Sequence, residues 1–275
     1  MDERISRERE FHNRVFADRS RKVAGKYYSV MRGSRQCYES VLNRYGAGST
    51  VLEFGCGPGF FAPYLAARGA SVTGIDISET AIAQAQERAD EQGVGGNLTL
   101  KVMNAEALEF PAQSFDLVCG VAILHHLDLD RAYGEIARTL KPGGRAVFLE
   151  PLGHNPLINL YRRMTPALRT EDEHPLLMRD LVLADRYFDE RHNHFFTLHS
   201  LLAVPFRDTS IFHGLITAFE AADRLVFRAL PPARRLAWQV VIELEGTHGC
   251  LRLRAELARL RLSWLPLTSS SYMLD

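Results

Sequence analysis

The chain has 275 residues, which suits one large domain or one domain with a lid. Hydrophobic residues make up 46% and charged residues 24%, and 33 Lys and Arg residues balance 33 Asp and Glu residues. This balance argues against the broadly basic surface of a nucleic-acid-binding protein and favours a small molecule as the substrate.

The first ten residues are rich in charge, so we expect no secretory signal there. The sequence contains no run of about 18 uncharged apolar residues, so we expect no membrane-spanning helix. The cysteines Cys37, Cys56, Cys119 and Cys250 form no CxxC pair. We therefore expect a reduced, cytoplasmic protein with free thiols.

Residues 1–45 have a mixed, helical pattern. Phe11, Val15 and Phe16 recur near helical spacing among charged residues. The segment is either a surface helix that packs on the core or a flap over a ligand site. We assign it as an N-terminal helical flap.

Strands and helices alternate from residue 49 onwards. Strands are predicted at residues 49–54, 71–76, 98–103, 115–120 and 145–150. Helices are predicted at residues 60–68, from Ser78 to about Gln92, and from Asp128 or Asp130 to Leu140. This alternation predicts an α/β fold, with a mostly parallel sheet covered by helices on both faces.

The alternation weakens beyond Pro151. Residues 154–170 and 176–188 are predicted as helix or loop, 191–204 as a strand that continues into a loop, 211–229 as an apolar helix and 236–244 as a strand. We therefore divide the chain into the flap, a main domain at 46–246 with a helical insertion at about 205–232, and a C-terminal tail at 247–275.

The most informative segment runs from Val51 to Gly59, with the sequence VLEFGCGPG. Its glycines lie at a strand-to-helix turn, where backbone N–H groups can approach a ligand closely. A GxG loop alone serves NAD, FAD, nucleotides or S-adenosylmethionine. A dinucleotide fingerprint needs a third small residue, and Phe60 occupies that position. Glu53 lies two residues before the first glycine, and Asp76 ends the second strand, placed to accept hydrogen bonds from ribose hydroxyls.

Five ordered segments at residues 49–150 resemble the motifs of the class I S-adenosylmethionine-dependent methyltransferases. They are EFGCGPG at 53–59, GIDIS at 74–78, NAEAL at 104–108, SFDLV at 114–118 and LKPGG at 140–144. The pattern is similar to that of bacterial small-molecule methyltransferases, including those that act on quinones and secondary metabolites. The resemblance implies a Rossmann-like, doubly wound, seven-stranded sheet with an antiparallel last strand.

The resemblance also implies the residues of a cofactor site for S-adenosylmethionine and its product S-adenosylhomocysteine. Gly55 and Gly57 would bound the methionine and ribose part, Glu53 would order the loop, and Asp76 would hold the ribose hydroxyls. Asn104 stands where the family often has Asp, and its carbonyl can still accept from an adenine amino group. The complete predicted set is Glu53, Gly55, Cys56, Gly57, Gly59, Asp76, Ile77, Asn104, Ala105, Glu106 and Gly120.

The acceptor should lie beside the end of the fourth strand, where His125 and His126 follow each other. Either histidine is a candidate base for a hydroxyl acceptor, or the pair only packs there. Candidate acceptor-pocket residues are Tyr27, Tyr28, His154, Tyr161 and Arg162. Apolar residues within 195–230 predict a hydrophobic acceptor or a contact of a homodimer.

His192, His194 and His199 invite a metal interpretation. No Cys or obvious carboxylate completes a ligand set near them in the sequence, so we predict no metal site. The function predicted from the sequence is methyl transfer to a small organic acceptor. The alternative is a methyltransferase-like protein that binds the cofactor but catalyses a different step or supports a partner enzyme.

Overall fold

The computed structural model describes residues 3–17, 29–166, 170 and 172–247. The predicted pocket residues Tyr27 and Tyr28, Cys250 and the tail after Thr247 lie outside the described residues. A seven-stranded sheet has the order β3-β2-β1-β4-β5-β7-β6. Its strands are β1 Thr50–Phe54, β2 Ser71–Asp76, β3 Leu98–Val102, β4 Phe115–Val121, β5 Leu140–Pro151, β6 Phe188–Phe196 and β7 Gln239–Thr247.

The pairing within the sheet is parallel from β3 across to β5, and β7 is antiparallel to both of its neighbours, β5 and β6. This confirms the predicted sheet with its antiparallel last strand. The α-helices are α1 Glu3–Ala17, α2 Arg32–Leu42, α3 Ala62–Ala67, α4 Glu79–Glu91, α5 Leu129–Thr139, α6 Pro156–Met164, α7 Met178–Leu183 and α8 Phe212–Ala229.

Side-chain caps begin three of the helices, two of them where the sequence predicts. The hydroxyl of Ser78 accepts from the N–H of Ala81 at 3.1 Å and begins α4. Asp128 begins α5 and Asn155 begins α6, each by accepting two backbone N–H groups. Such caps satisfy N–H groups that the helix itself leaves without a partner.

Some predicted boundaries were wrong by a few residues. Helix α3 begins at Ala62 rather than Phe60, so that Pro63 lies in the first turn, where its missing N–H costs nothing. Strand β5 begins at Leu140 rather than Arg145, because Leu140 already pairs with Phe115 across a register shift. Strand β6 starts at Phe188 and ends at Phe196, before Thr197 with a φ of 66°. Strand β7 runs from Gln239 instead of Leu236.

Both faces of the sheet are covered by apolar packing. Tyr133, Ile136 and Phe227 of α5 and α8 belong to a buried cluster with Leu52 and Phe148 on one face. On the other face, α2 and α3 pack on inward residues such as Val51 and Val241. Burial on both faces leaves the carboxyl edge of the parallel strands as the place for a ligand. Among the described helices, none is both long enough and apolar enough to cross a membrane.

Candidate functional site

The loop after β1 adopts a backbone that favours glycine. Gly55, Gly57 and Gly59 have φ values of 57°, 52° and 81°, in the left-handed region that other residues avoid. A Cβ at Gly55 would lie 2.8 Å from the side chain of Ile123. The glycine loop is therefore in close contact with the turn that follows β4.

Asp76 holds the glycine loop from the neighbouring strand. One oxygen of its buried carboxylate accepts from the N–H of Gly57 at 2.9 Å, and the other accepts from the N–H of Ser78 at 2.8 Å. Cys56 is fully buried, and its sulfur would be 3.1 Å from a Cβ at Gly74. The glycine loop and the acid at the end of β2 thus lie together, joined by the hydrogen bond to Gly57.

Glu53 is the other buried acid of this loop, with 2% of its surface exposed. Burial raises the pKa of its carboxyl to about 8, although hydrogen bonds from the backbone N–H groups of Ala62 and Phe61 act in the opposite direction. Within the described part of the chain, its Oε2 atom has no hydrogen-bond partner. A buried acceptor in this state fits a cationic ligand group, such as an amine, next to the glycine loop.

The residues that follow β3 form the next side of the candidate cofactor site. The amide oxygen of Asn104 accepts from the N–H of Glu106 at 3.0 Å, and the buried carboxylate of Glu106 accepts from the N–H of Asp128 at 2.8 Å and pairs with Arg4. Ala105 is buried beside them. Two further predicted residues lie nearby in the fold: Ile77, which is partly buried, and Gly120, where a Cβ would meet Ile123 at 2.8 Å.

His125 is buried at the end of β4 and is fixed by a carboxylate that the sequence analysis did not assign to the site. Its Nδ1 atom lies 2.8 Å from Glu150 Oε2. The other oxygen of Glu150 accepts from the N–H groups of Ile123 and Leu124, both at 2.8 Å. Glu150 is fully buried near the end of β5. An acid that closes the apolar run of residues 146–149 is the sequence signal that could have identified it.

His126 contacts the N-terminal helix. Burial and the neighbouring His125 lower the pKa of His126 to about 4, although Glu8 acts in the opposite direction. Its Nδ1 atom lies 3.2 Å from Glu8 Oε2, and His12 Nε2 lies 3.3 Å from the same oxygen. Burial opposes ionisation of Glu8, but the adjacent imidazoles of His12 and His126 and a hydrogen bond from the Thr170 hydroxyl hold its pKa well below the ordinary range. No feature of the sequence pairs Glu8 with His126.

Only some of the predicted acceptor-pocket residues after β5 lie near the histidine pair. Arg162 pairs with Glu173 at 2.7 Å, and Glu173 lies close to both His125 and His126. Burial raises the pKa of Glu173, whereas the two histidines and Arg162 lower it, and the net shift is downward. His154 instead accepts from the N–H of Met178 at 3.2 Å. Tyr161 lies in α6, partly buried beside Arg162.

Helix α1 lies across the glycine loop and the end of β2. The Ser78 hydroxyl donates to Asn13 at 2.6 Å, and the Gln84 amide donates to the carbonyl of Phe16 at 3.0 Å. The ring of Phe16 is 3.7 Å from the position of a Cβ at Gly57. Together with the Arg4–Glu106 pair, these contacts place α1 over the carboxyl edge of the sheet.

The three histidines that invited a metal interpretation are separated in the structure. His199 Nδ1 lies 2.8 Å from the buried Asp223, and His192 Nε2 lies 3.4 Å from Glu190. His194 Nε2 lies 3.1 Å from Glu243. None of the three contacts the glycine loop in the described structure.

Comparisons with known proteins agree with this geometry. Residues 52–148 match the family model of a methyltransferase domain. The ubiquinone biosynthesis O-methyltransferase of Pseudomonas fluorescens (strain Pf0-1) is 41% identical over 118 residues, which are 42% of this chain and 49% of that protein. The chain thus spans about half the length of the curated relatives that it matches.

Solved structures share the fold. Phosphoethanolamine N-methyltransferase 2 of Haemonchus contortus, solved with S-adenosylhomocysteine, superposes with a TM-score of 0.58 at 20% identity over 84% of this chain and 59% of that one. The [4+2]-cyclase SpnF superposes with a TM-score of 0.51 at 20% identity over 77% of this chain and 80% of that one. Proteins of this fold therefore catalyse more than one type of reaction. The type of reaction has to be inferred from the residues of the site.

Proposed function

We propose that this chain, which carries a class I S-adenosylmethionine-dependent methyltransferase domain, methylates a hydroxyl group of a small, hydrophobic organic acceptor. The observation that carries the proposal is the contact between the glycine loop and the turn that bears His125. Ile123 packs against Gly55, and the same turn is fixed by Glu150. A cofactor loop and a histidine base are thereby held side by side.

The residues around the glycine loop fit S-adenosylmethionine. Glu53 would take the methionine amine with its unpartnered oxygen, and Asp76 would hold the ribose while it keeps Gly57 in place. Asn104, Ala105 and Ile77 would line the adenine. When bound, the cofactor supplies an electrophilic methyl group on a sulfonium.

His125 is the base in this proposal, and Glu150 is its positioning residue. Because a carboxylate can only accept, this 2.8 Å contact favours the tautomer with the proton on Nδ1, which would leave the lone pair of Nε2 for a substrate proton. A base in this state can take the proton that a hydroxyl acceptor loses as its oxygen is methylated. Because the carboxylate is itself held by two N–H groups, the imidazole needs no reorientation during the reaction.

His126 stands next to this base and stays neutral at neutral pH, because its pKa is about 4. Its contact with Glu8 couples the histidine pair to α1. Closure of α1 would exclude water from the site, which strengthens its electrostatic interactions. Arg162 and Glu173 would complete the acceptor side.

A quinone-like or secondary-metabolite hydroxyl is the acceptor class that we favour. The curated relative named above acts in ubiquinone biosynthesis, and the segment between β6 and β7 is rich in apolar side chains. The cytoplasmic location expected from the sequence belongs to this proposal, and a homodimer contact stays the alternative for the apolar residues within 195–230.

The experiment is a transfer assay with S-adenosylmethionine labelled in its methyl group and a panel of hydroxylated aromatic acceptors. We expect the label to enter an organic-soluble product in equal amount to S-adenosylhomocysteine. A bound cofactor whose label never leaves it, together with conversion of an acceptor by another reaction, would favour the cyclase-like alternative.

A further inference from the structure

Three metal-ligating side chains converge where α2 crosses β6 and β7, at the edge of the sheet. They are Cys37 of α2, His194 of β6 and Glu243 of β7, and their ligand atoms all lie within 4.8 Å of one another. His194 Nε2 is already 3.1 Å from Glu243 Oε1. This group lies outside the cofactor site described above.

The fold brings these residues together from distant parts of the sequence. In the β6–β7 ladder His192 is opposite Glu243 and His194 is opposite Val241, so His194 and Glu243 lie on the same face of the sheet. Helix α2 packs on that face, because its Val41 shares a buried cluster with Val241. This packing brings Cys37 close to His194 and Glu243. Cys37 is itself partly buried.

We propose that Cys37, His194 and Glu243 bind one Zn²⁺ ion, with water in the fourth position. Thiolate, imidazole and carboxylate are the three ligand types that zinc takes in proteins, at about 2.0–2.3 Å from the ion. The anionic thiolate and carboxylate together balance the charge of the divalent ion. A thiolate in the set favours zinc over magnesium and calcium, which prefer oxygen ligands.

The spacing needs little change to take the ion. Tetrahedral bonds of about 2.0–2.3 Å place neighbouring ligand atoms roughly 3.2–3.8 Å apart, and the ligand atoms here lie within 4.8 Å of one another. His194 keeps 45% of its side chain exposed, so the ion can enter from solvent. Rotation of side chains at this open edge closes the remaining distance.

The ion would fasten α2 to the sheet edge and take no part in methyl transfer. Strand β6 is at one end of the sheet, whereas β2 and β3, which carry the adenine side of the cofactor site, are at the other end. About one turn before Cys37 in α2, Ser34 already donates to the buried Gln239 of β7 at 2.7 Å. A metal at Cys37 would add a second link between the same two elements.

The test uses the whole chain, stripped with a chelator and titrated with Zn²⁺ or Co²⁺ alone. We expect one equivalent of zinc by elemental analysis, a rise in Tm, and a thiolate-to-cobalt charge-transfer band in the near ultraviolet. C37S should abolish the band, and H194Q should weaken zinc binding at least about tenfold. H194Q replaces a half-exposed strand residue, so it keeps the test valid if C37S does not fold.

Two matched controls remove the same side-chain types elsewhere. C250S removes a different thiol, and H213Q removes an exposed imidazole on α8. Both should bind zinc and cobalt like the original chain. A cobalt band that survives in C37S, or zinc affinity that is unchanged in H194Q, would overturn the proposal and leave only a hydrogen-bonded cluster.

Discussion

Glu53 and Asp76 show how two buried acids in one loop are given different tasks. Both carboxylate oxygens of Asp76 accept hydrogen bonds from backbone N–H groups, so Asp76 holds the glycine loop in its conformation. Glu53 keeps one oxygen without a partner and has a pKa of about 8. The sequence predicts both residues from the spacing of the motif, but it does not predict this difference, which depends on burial.

Replacement of Asp76 by Ala should weaken binding of S-adenosylhomocysteine by roughly 1.5–3 kcal/mol, the scale of a hydrogen bond to a charged group. Calorimetry measures the change, and NADH should not bind to either protein. D90A, which removes an exposed acid near the far end of α4, is the control and should bind normally. An unchanged affinity in D76A would rule out the ribose assignment.

We expect cofactor binding to release a proton from the Glu53 carboxyl. Because burial raises its pKa from 4.5 to about 8, the free carboxyl is protonated at neutral pH, and an ammonium group beside it stabilises the ionised form. Titration calorimetry at pH 7 in buffers of different ionisation enthalpy should therefore give different heats. The dependence should be lost in E53Q, and identical heats for the original chain would contradict the assignment.

The same carboxyl sets the direction of a pH effect on stability. A raised pKa means that the folded chain binds this proton more tightly than the unfolded chain does. The contribution to the free energy of unfolding is complete below pH 4.5 and is lost as the pH rises through about 8. Denaturant unfolding of the original chain and E53Q should differ in slope across that window. Parallel profiles would contradict the effect.

At the scale of elements, strands β1 to β4 could be predicted to within about a residue. The apolar run of β1 stops at Gly55, and β2 ends at Asp76. The placement of α1 could not be predicted. Many of its contacts are polar pairs between residues far apart in the sequence, such as Asn13 with Ser78 and Arg4 with Glu106, and no periodicity specifies them. The sequence alone did not decide between a flap and a surface helix. In the structure, α1 lies across the carboxyl edge of the sheet.

Helix α1 is predicted to act as a lid. Deletion of residues 1–30 should reduce turnover far more than thermal stability, because α1 contacts the site through the polar pairs of Arg4, Glu8 and Asn13 and through the ring of Phe16. Hydrogen exchange should show added protection within residues 10–32 when S-adenosylhomocysteine is bound. No added protection there, or a large loss of stability on deletion, would contradict the lid.

The whole molecule brings together residues that the sequence keeps apart. Five motifs in order predict the sheet and the cofactor edge, since each is local to one strand end. The pair of His125 with Glu150 and the group of Cys37, His194 and Glu243 depend on strand order and register. The partners of His194 cannot be predicted from its neighbours in the sequence, because both come from other elements.

Removal of metal should affect the stability of the chain and its turnover differently. Chelation with EDTA should lower Tm, because the proposed zinc ion joins α2 to the sheet, but it should leave turnover intact below the melting transition. H194Q is the matched variant, since its Tm should no longer respond to EDTA. Loss of turnover that magnesium or zinc restores would contradict the prediction that methyl transfer requires no divalent ion.

Single-turnover transfer of labelled methyl by H125Q, with S-adenosylhomocysteine affinity measured on the same preparation, tests the histidine base most directly. We expect a rate lower by roughly 10²–10⁴-fold, the usual contribution of a general base, and an unchanged affinity. E150Q should lower the rate less and alter the pH dependence, because the imidazole remains. A rate in H125Q equal to that of the original chain would contradict the histidine base, and with it the proposed hydroxyl chemistry.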